Sequence, residues 1–234
     1  MPTLRLLLVA CLLLFGVLTA PAGAQTPAPD DGAPVYVVTY FEIVPSAAGK
    51  ATRLLRNFAA ATRKAAGNVE FEALREISRP GRFAIVEAWR NKEALDGHNA
   101  AMKAFGDQLQ ANFASPFDAR TFAPLVVGAA PRDTRNLPDA LYVLTHVDVL
   151  PSGKDEVAAM VKQLVADSVK DNGAVRFDGL IQAGRPNHFH LVEAWSGRSE
   201  HDAHAIAEHT RAFRAKLVPF EGALYDERLF QAIR

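Results

Sequence analysis

One cysteine, Cys11, stands among 234 residues, so the chain has no internal disulfide framework and no cysteine-based zinc site. Net charge is missing too: 26 Lys plus Arg balance 26 Asp plus Glu. Without a basic excess there is no electrostatic footprint for nucleic acid or an anionic membrane, because such binding rests on neutralised phosphates. Signature loops are equally absent. There is no Gly-x-Gly-x-x-Gly, no Walker-type phosphate loop, no Gly-x-Ser-x-Gly and no His-Glu-x-x-His. Histidine is scarce in the first half, where His98 stands alone, and six of the seven lie beyond it. What is present is globular material, 49% apolar and 22% charged, which excludes a disordered or collagen-like chain.

Residues 1–24 read as a secretory signal. Arg5 supplies the positive charge, Leu6 to Leu18 is almost wholly apolar, and Ala22-Gly23-Ala24 gives small residues where a signal peptidase reads. The apolar core is too short to span a bilayer permanently, so no stable membrane insertion is expected after cleavage. Leu8-Val9-Ala10-Cys11 also fits a lipoprotein box, but the apolar run continues past Cys11 and a signal needs its greasy core before the cut. The expected product is an exported, periplasmic or secreted chain of 210 residues, opening on a flexible lead-in over 25–34 that is rich in proline and aspartate.

Beyond the lead-in the chain repeats itself. At a constant offset of 106, residues 69–89 and 175–195 match at 10 of 21 positions. Val69-Glu70-Phe71 meets Val175-Arg176-Phe177, Arg79-Pro80 meets Arg185-Pro186, and Phe83-Ala84-Ile85-Val86-Glu87-Ala88-Trp89 meets Phe189-His190-Leu191-Val192-Glu193-Ala194-Trp195. The same offset pairs Tyr36 with Tyr142, Thr39 with Thr145 and His98 with His204. Two units follow, 35–127 and 140–232, joined by a Pro-containing linker over 128–139.

Each unit reads as β-α-β-β-α-β. Val35 to Val44 is a nearly continuous β-branched and aromatic run, as expected of a strand covered on both faces. Ala51, Leu54, Leu55, Phe58, Thr62 and Ala65 recur at helical spacing until Gly67. Val69 to Ile77 and Arg82 to Trp89 are strands about a Pro-Gly turn, a second helix covers about 92–112, and Thr121 to Val127 closes the unit. That order is the ferredoxin-like arrangement. Both helices cover one face of such a sheet, so the bare apolar face must be buried against a second sheet. The expected fold class is α+β: two tandem units packed sheet to sheet as an internal pseudo-dimer, with further oligomerisation left open.

With the Phe-x-x-Val-Glu-Ala-Trp strand, the Arg-Pro hairpin and a His nine residues past each Trp, the units resemble the antibiotic biosynthesis monooxygenase domain of the dimeric α/β-barrel superfamily. The resemblance implies a site between each sheet and its own helices, with Trp89 and His98 in one unit and Trp195 and His204 in the other. It implies a quinol or small aromatic ligand, molecular oxygen as co-substrate, and no metal or organic cofactor. Haem-degrading relatives use an asparagine on the first strand; Val35 to Val44 and Leu141 to Leu150 contain none, which disfavours that activity.

The residues themselves fit such chemistry. Trp offers a flat ring for an aromatic, and His accepts a proton near neutral pH. His98 and His204 are the candidate catalytic residues; Trp89, Trp195, Tyr40 and His146 are the candidate substrate contacts, with Thr39 beside Tyr40. Divergence of the copies at pocket positions would leave one as scaffold, with the second unit, richer in titratable groups, as the active half, or neither active. Two other readings compete. One is a metal site in the second unit, since His188 and His190 share a strand face and His201, His204 and Glu208 share a helix face. The other is a binding protein without chemistry. Arg53, Arg56, Arg63 and Lys64 are expected to be a solvated helix face.

Overall fold

The computed structural model describes residues 32–129, 134 and 136–234; the signal segment, most of the lead-in and part of the linker lie outside the described residues. In the first unit, Val35–Ile43 forms β1, Ala48–Thr62 α1, Asn68–Glu76 β2, Arg82–Trp89 β3, Lys92–Leu109 α2 and Phe113–Val127 β4. The second repeats the order with Leu141–Asp148 as β5, Lys154–Ser168 as α3, Ala174–Gln182 as β6, Arg185–Trp195 as β7 and Asp226–Ala232 as β8. Its second helix is split into Arg198–Ala205, α4, and Glu208–Leu217, α5.

The eight strands close into one barrel in the order β1-β3-β2-β8-β5-β7-β6-β4. Within each unit the order is that of a ferredoxin-like sheet. The units are then stitched edge to edge, Leu74 against Ala232 on one seam and Phe122 against Gln182 on the other. Along these paired stretches no sheet edge is left free to recruit another chain. The face that had to be covered becomes the barrel interior, filled by Tyr36, Val38, Val86, Phe122, Tyr142, Leu144, Val192 and Phe230. Two further cores lie outside it, where α1 and α2 cover Phe41, Phe71, Phe83 and Ile85, and α3 and α5 cover Val143, Phe177, Phe189 and Leu191. Burying each such side chain contributes about 1.5–3 kcal/mol.

Local chemistry explains most boundaries. α1 buries Ala51, Leu55, Ala59 and Thr62, one stripe at helical spacing, while Arg53, Arg56, Arg63 and Lys64 are exposed. Asn91 caps α2, its Oδ1 accepting from the Ala94 N–H at 3.0 Å. β4 is twice the length expected from Thr121 to Val127, because it begins at Phe113. Its first half mixes Phe113 and Phe117 with Ser115, Asp118 and Arg120 and holds Pro116, which falls where the ladder to β1 shifts register between Tyr40 and Glu42. A strand whose partner tolerates a bulge can carry a proline that apolar alternation does not reveal.

Gly67 and Gly173 occupy equivalent positions after α1 and α3 with φ of 79° and 75°, the left-handed region. At Gly173 an added Cβ would lie 2.3 Å from Glu200 Cγ and 2.4 Å from Ser196 Oγ. Gly173→Ala is therefore expected to cost about 1–3 kcal/mol through backbone strain and overlap together. Gly184→Ala is the control, since Gly184 has φ of 74° with open space around it. Equal thermal midpoints for the two variants would contradict the overlap.

Candidate functional site

Strand alternation decides which groups meet the helices. Along β3, Ile85, Glu87 and Trp89 face α1 and α2, while Ala84, Val86 and Ala88 face the barrel interior. The Glu-x-Trp pair therefore shares a face, and Trp89 Nε1 donates to Glu87 Oε2 at 2.8 Å. His98, one turn and a half into α2, packs its ring 4.7 Å from the Trp89 ring at 32°. Phe58 from α1 stacks on the same imidazole at 5.5 Å and 30°. His98 Nε2 makes no hydrogen bond among the described residues, and Glu87 Oε2 lies 3.7 Å from it. The ring lines a cleft of about 480 Å³ bounded by Ala65, Trp89, Asn91, Glu93, Gly97 and His98.

The second unit repeats the frame and changes the contents. Trp195 Nε1 donates to Glu193 Oε2 at 2.9 Å, and the His204 ring lies 4.6 Å from the Trp195 ring at 29°. Leu164 stands where the first unit has Phe58. His204 Nδ1 is tied to Asp171 Oδ2 at 2.8 Å, and Thr210 Oγ1 lies 3.3 Å from both ring nitrogens. The adjoining cleft is smaller, about 300 Å³, bounded by Asp171, Asn172, Ser199, Glu200 and His204. Both indoles are wholly buried, so neither presents an open stacking surface; each seats an imidazole instead.

Tyr40 and His146 do not complete these clefts. On β1, Thr39 and Phe41 face the helices, so Tyr40 must face the interior, and His146 does the same on β5. Neighbouring strand residues cannot share a pocket on one side of a sheet. Tyr40, His146 and His190 instead form a cluster inside one end of the barrel, with His146 and His190 rings 4.5 Å apart and Tyr40 Oη 3.4 Å from His190 Nε2. Two like-built pairs flank it, Asp118 with Arg120 at 2.8 Å and Asp226 with Arg228.

Burial sets the charges. It pushes Glu87 up to about 7 and Glu193 up to about 8, with the indole N–H groups opposing only in part. It pushes His98 and His204 down, and His146 down to about 4. A raised carboxylate stabilises the fold below its unfolded value of 4.5 and loses that contribution as pH rises through its folded value. A depressed histidine does the reverse, losing stability as pH falls below 6.5. The two oppose each other from 4.5 to 6.5; above that the carboxylates act alone. The thermal midpoint is expected to fall from pH 6.5 to 8.5, and Glu193→Gln, which keeps an acceptor for Trp195, to flatten the fall. Parallel curves would contradict the assignment.

The family model for antibiotic biosynthesis monooxygenase matches residues 34–107 and 140–216, once in each unit. This chain belongs to that family. Among solved structures, a candidate monooxygenase from Fusobacterium nucleatum is similar at 15% identity and a TM-score of 0.78, over 87% of this chain and 94% of its own. A candidate monooxygenase from Lactobacillus acidophilus is similar at 14% identity and 0.72, over 86% and 95%. An anthrone oxidase-like protein is similar at 14% identity and 0.65, over 88% and 92%. At these identities the likeness is one of fold. No curated protein matches the chain.

For this member of the antibiotic biosynthesis monooxygenase family, the histidine sets expected for metal do not assemble. Glu208 opens α5, beyond a break at Ile206 and an extended Ala207, so it leaves the helix face shared by His201 and His204. His188 pairs with Asp148 at 2.9 Å, and His190 lies in the barrel. Sequence reading also passed over Glu87, Glu193, Asp171 and His209. The first two were legible, because positions i and i+2 of a strand share a face with Trp. The last two depend on the helix break, which no proline or glycine marks. Among the described residues no helix is long and apolar enough to cross a membrane.

Proposed function

We propose that this protein is a cofactor-independent monooxygenase that oxidises a quinol or other small aromatic in the cleft of the first unit, with molecular oxygen as co-substrate. One observation carries the reading: the His98 imidazole lines an open cleft and is fixed by Trp89 and Phe58, with its buried Nε2 3.7 Å from Glu87 Oε2. Burial keeps His98 in its neutral, proton-accepting form. The imidazole takes the phenolic proton, and the Glu87 carboxylate stabilises the resulting cation. The electron-rich anion then reduces oxygen; one oxygen atom enters the ring system and the other leaves as water with the substrate's protons. In the second unit the corresponding imidazole is engaged by Asp171 and Thr210, which moves the expected active half to the first.

A cleft of about 480 Å³ suits a one- or two-ring ligand, and the fold shared with an anthrone oxidase-like protein supports an aromatic substrate. The signal-like residues 1–24 support work outside the cytoplasm. The test is oxygen uptake by metal-free protein against a panel of quinols and anthrone-type phenols. Saturable uptake with at least one of them is expected. Saturable binding with no uptake across the panel would overturn the enzyme reading in favour of a binding protein of the same fold.

A further inference from the structure

The second unit holds one three-residue group of metal-binding type among the described residues: Asp171, His204 and His209. They come from three places in the chain. Asp171 lies in the turn after α3, His204 near the end of α4, and His209 in the first turn of α5. The break between α4 and α5 brings the two histidines to one carboxylate: Asp171 Oδ2 lies 2.8 Å from His204 Nδ1 and 3.1 Å from His209 Nε2. One donor atom from each residue lies within 4.8 Å of the others. The first unit has nothing comparable, since Ala65 and Lys103 occupy the positions equivalent to Asp171 and His209.

We propose that Asp171, His204 and His209 bind one divalent first-row transition metal, with zinc as the reference ion. Two imidazoles and a carboxylate are the ligand set such ions prefer, and three protein ligands leave a coordination position open. Ligands about 2.1 Å from a tetrahedral ion lie about 3.4 Å from one another. The two donor separations from Asp171 fall short of this by a few tenths of an ångström, a shift within side-chain reach. Access is provided, because Asp171 and His209 are each about one-quarter exposed and His204 lines the cleft of about 300 Å³. Thr210 Oγ1, 3.3 Å from the His204 ring nitrogens, is placed to accept from the ring nitrogen that the ion does not use. A bound ion would pin the broken helix to the turn after α3.

The experiment uses the chain without a histidine tag. Zinc binding is measured by equilibrium dialysis, and coordination is read from the visible absorption of the cobalt-substituted protein. One equivalent of zinc per chain is expected, with a tetrahedral-type cobalt spectrum. His209→Ala and Asp171→Asn should each weaken binding at least thirtyfold while leaving the metal-free thermal midpoint nearly unchanged. His98→Ala should leave binding intact, which keeps this site independent of the monooxygenase reading. His209→Gln repeats the test at a partly exposed helix position should Asp171→Asn perturb the fold. No saturable binding, or affinity unchanged in both His209 variants, would overturn the proposal; the second outcome would assign the ion to other histidines.

Discussion

Replacing His98 by alanine is expected to lower kcat/KM for quinol oxidation by about 10²–10³-fold, within the range a positioned general base contributes. His204→Ala, the equivalent change in the second unit, should stay within about threefold of wild type. The contrast follows from what surrounds the two rings: His98 lines a cleft with only Glu87 beside its buried Nε2, whereas His204 is held by Asp171 and Thr210. Alanine at 98 also opens a hole between Phe58 and Trp89, so loss of packing must be separated from loss of the base. His98→Gln fills most of that space without accepting a proton at neutral pH. It should keep the thermal midpoint within a few degrees and lose activity as alanine does. Glu87→Gln should cost less, about tenfold, and remove the pH dependence near 7 that the Glu87 carboxyl imposes. If His98→Gln retained wild-type turnover, His98 would be a packing residue and the base would lie elsewhere.

Arg176→Met is expected to be the most destabilising of the changes considered, by about 3–5 kcal/mol. Arg176 is 2% exposed, its Nε donates to Asp178 Oδ2 at 2.7 Å, and its Nη1 meets Glu70. Asp178 is completely buried and also accepts from the Gly128 N–H at 3.1 Å. Methionine replaces the aliphatic stem but not the guanidinium, and so strands that carboxylate in a low-dielectric interior. Glu70 and Arg176 are equivalent positions of the two units, so the pair spans the pseudo-twofold relation and fixes one unit against the other. For a chain of this size the loss corresponds to a midpoint about 6–20 °C lower. Adding Asp178→Asn to Arg176→Met should recover part of it, because the fully buried carboxylate is then no longer left charged without the Arg176 guanidinium. A change below about 1 kcal/mol in the single variant would show that water reaches Asp178 and that the seam is not closed there.

The fold was legible because several independent signals agreed. The repeat, the Gly67 and Gly173 stops, the apolar stripe of α1 and the Glu-Ala-Trp strands all pointed to paired ferredoxin-like sheets, and the barrel uses each of them. Edge pairing was less visible. Nothing in Leu74 or Phe122 announces that it will meet Ala232 or Gln182, because ladder bonds are made by backbone and carry no residue signature. The site was half legible. Trp89 and His98 meet as their spacing suggested, but Tyr40 and His146 fell on the barrel side because a one-residue step along a strand reverses the face. The Asp171 and His209 pairing was hidden by the broken helix, which no proline or glycine marks and which brings the first turn of α5 back to the turn after α3.

The most direct test is a crystal structure of the protein grown without oxygen in the presence of the quinol it consumes fastest. The ligand ring should occupy the cleft bounded by Trp89, Asn91, Gly97 and His98, with a hydroxyl within about 3 Å of the His98 imidazole. A ring bound in the barrel end beside Tyr40 and His146, with the His98 cleft empty, would contradict the account.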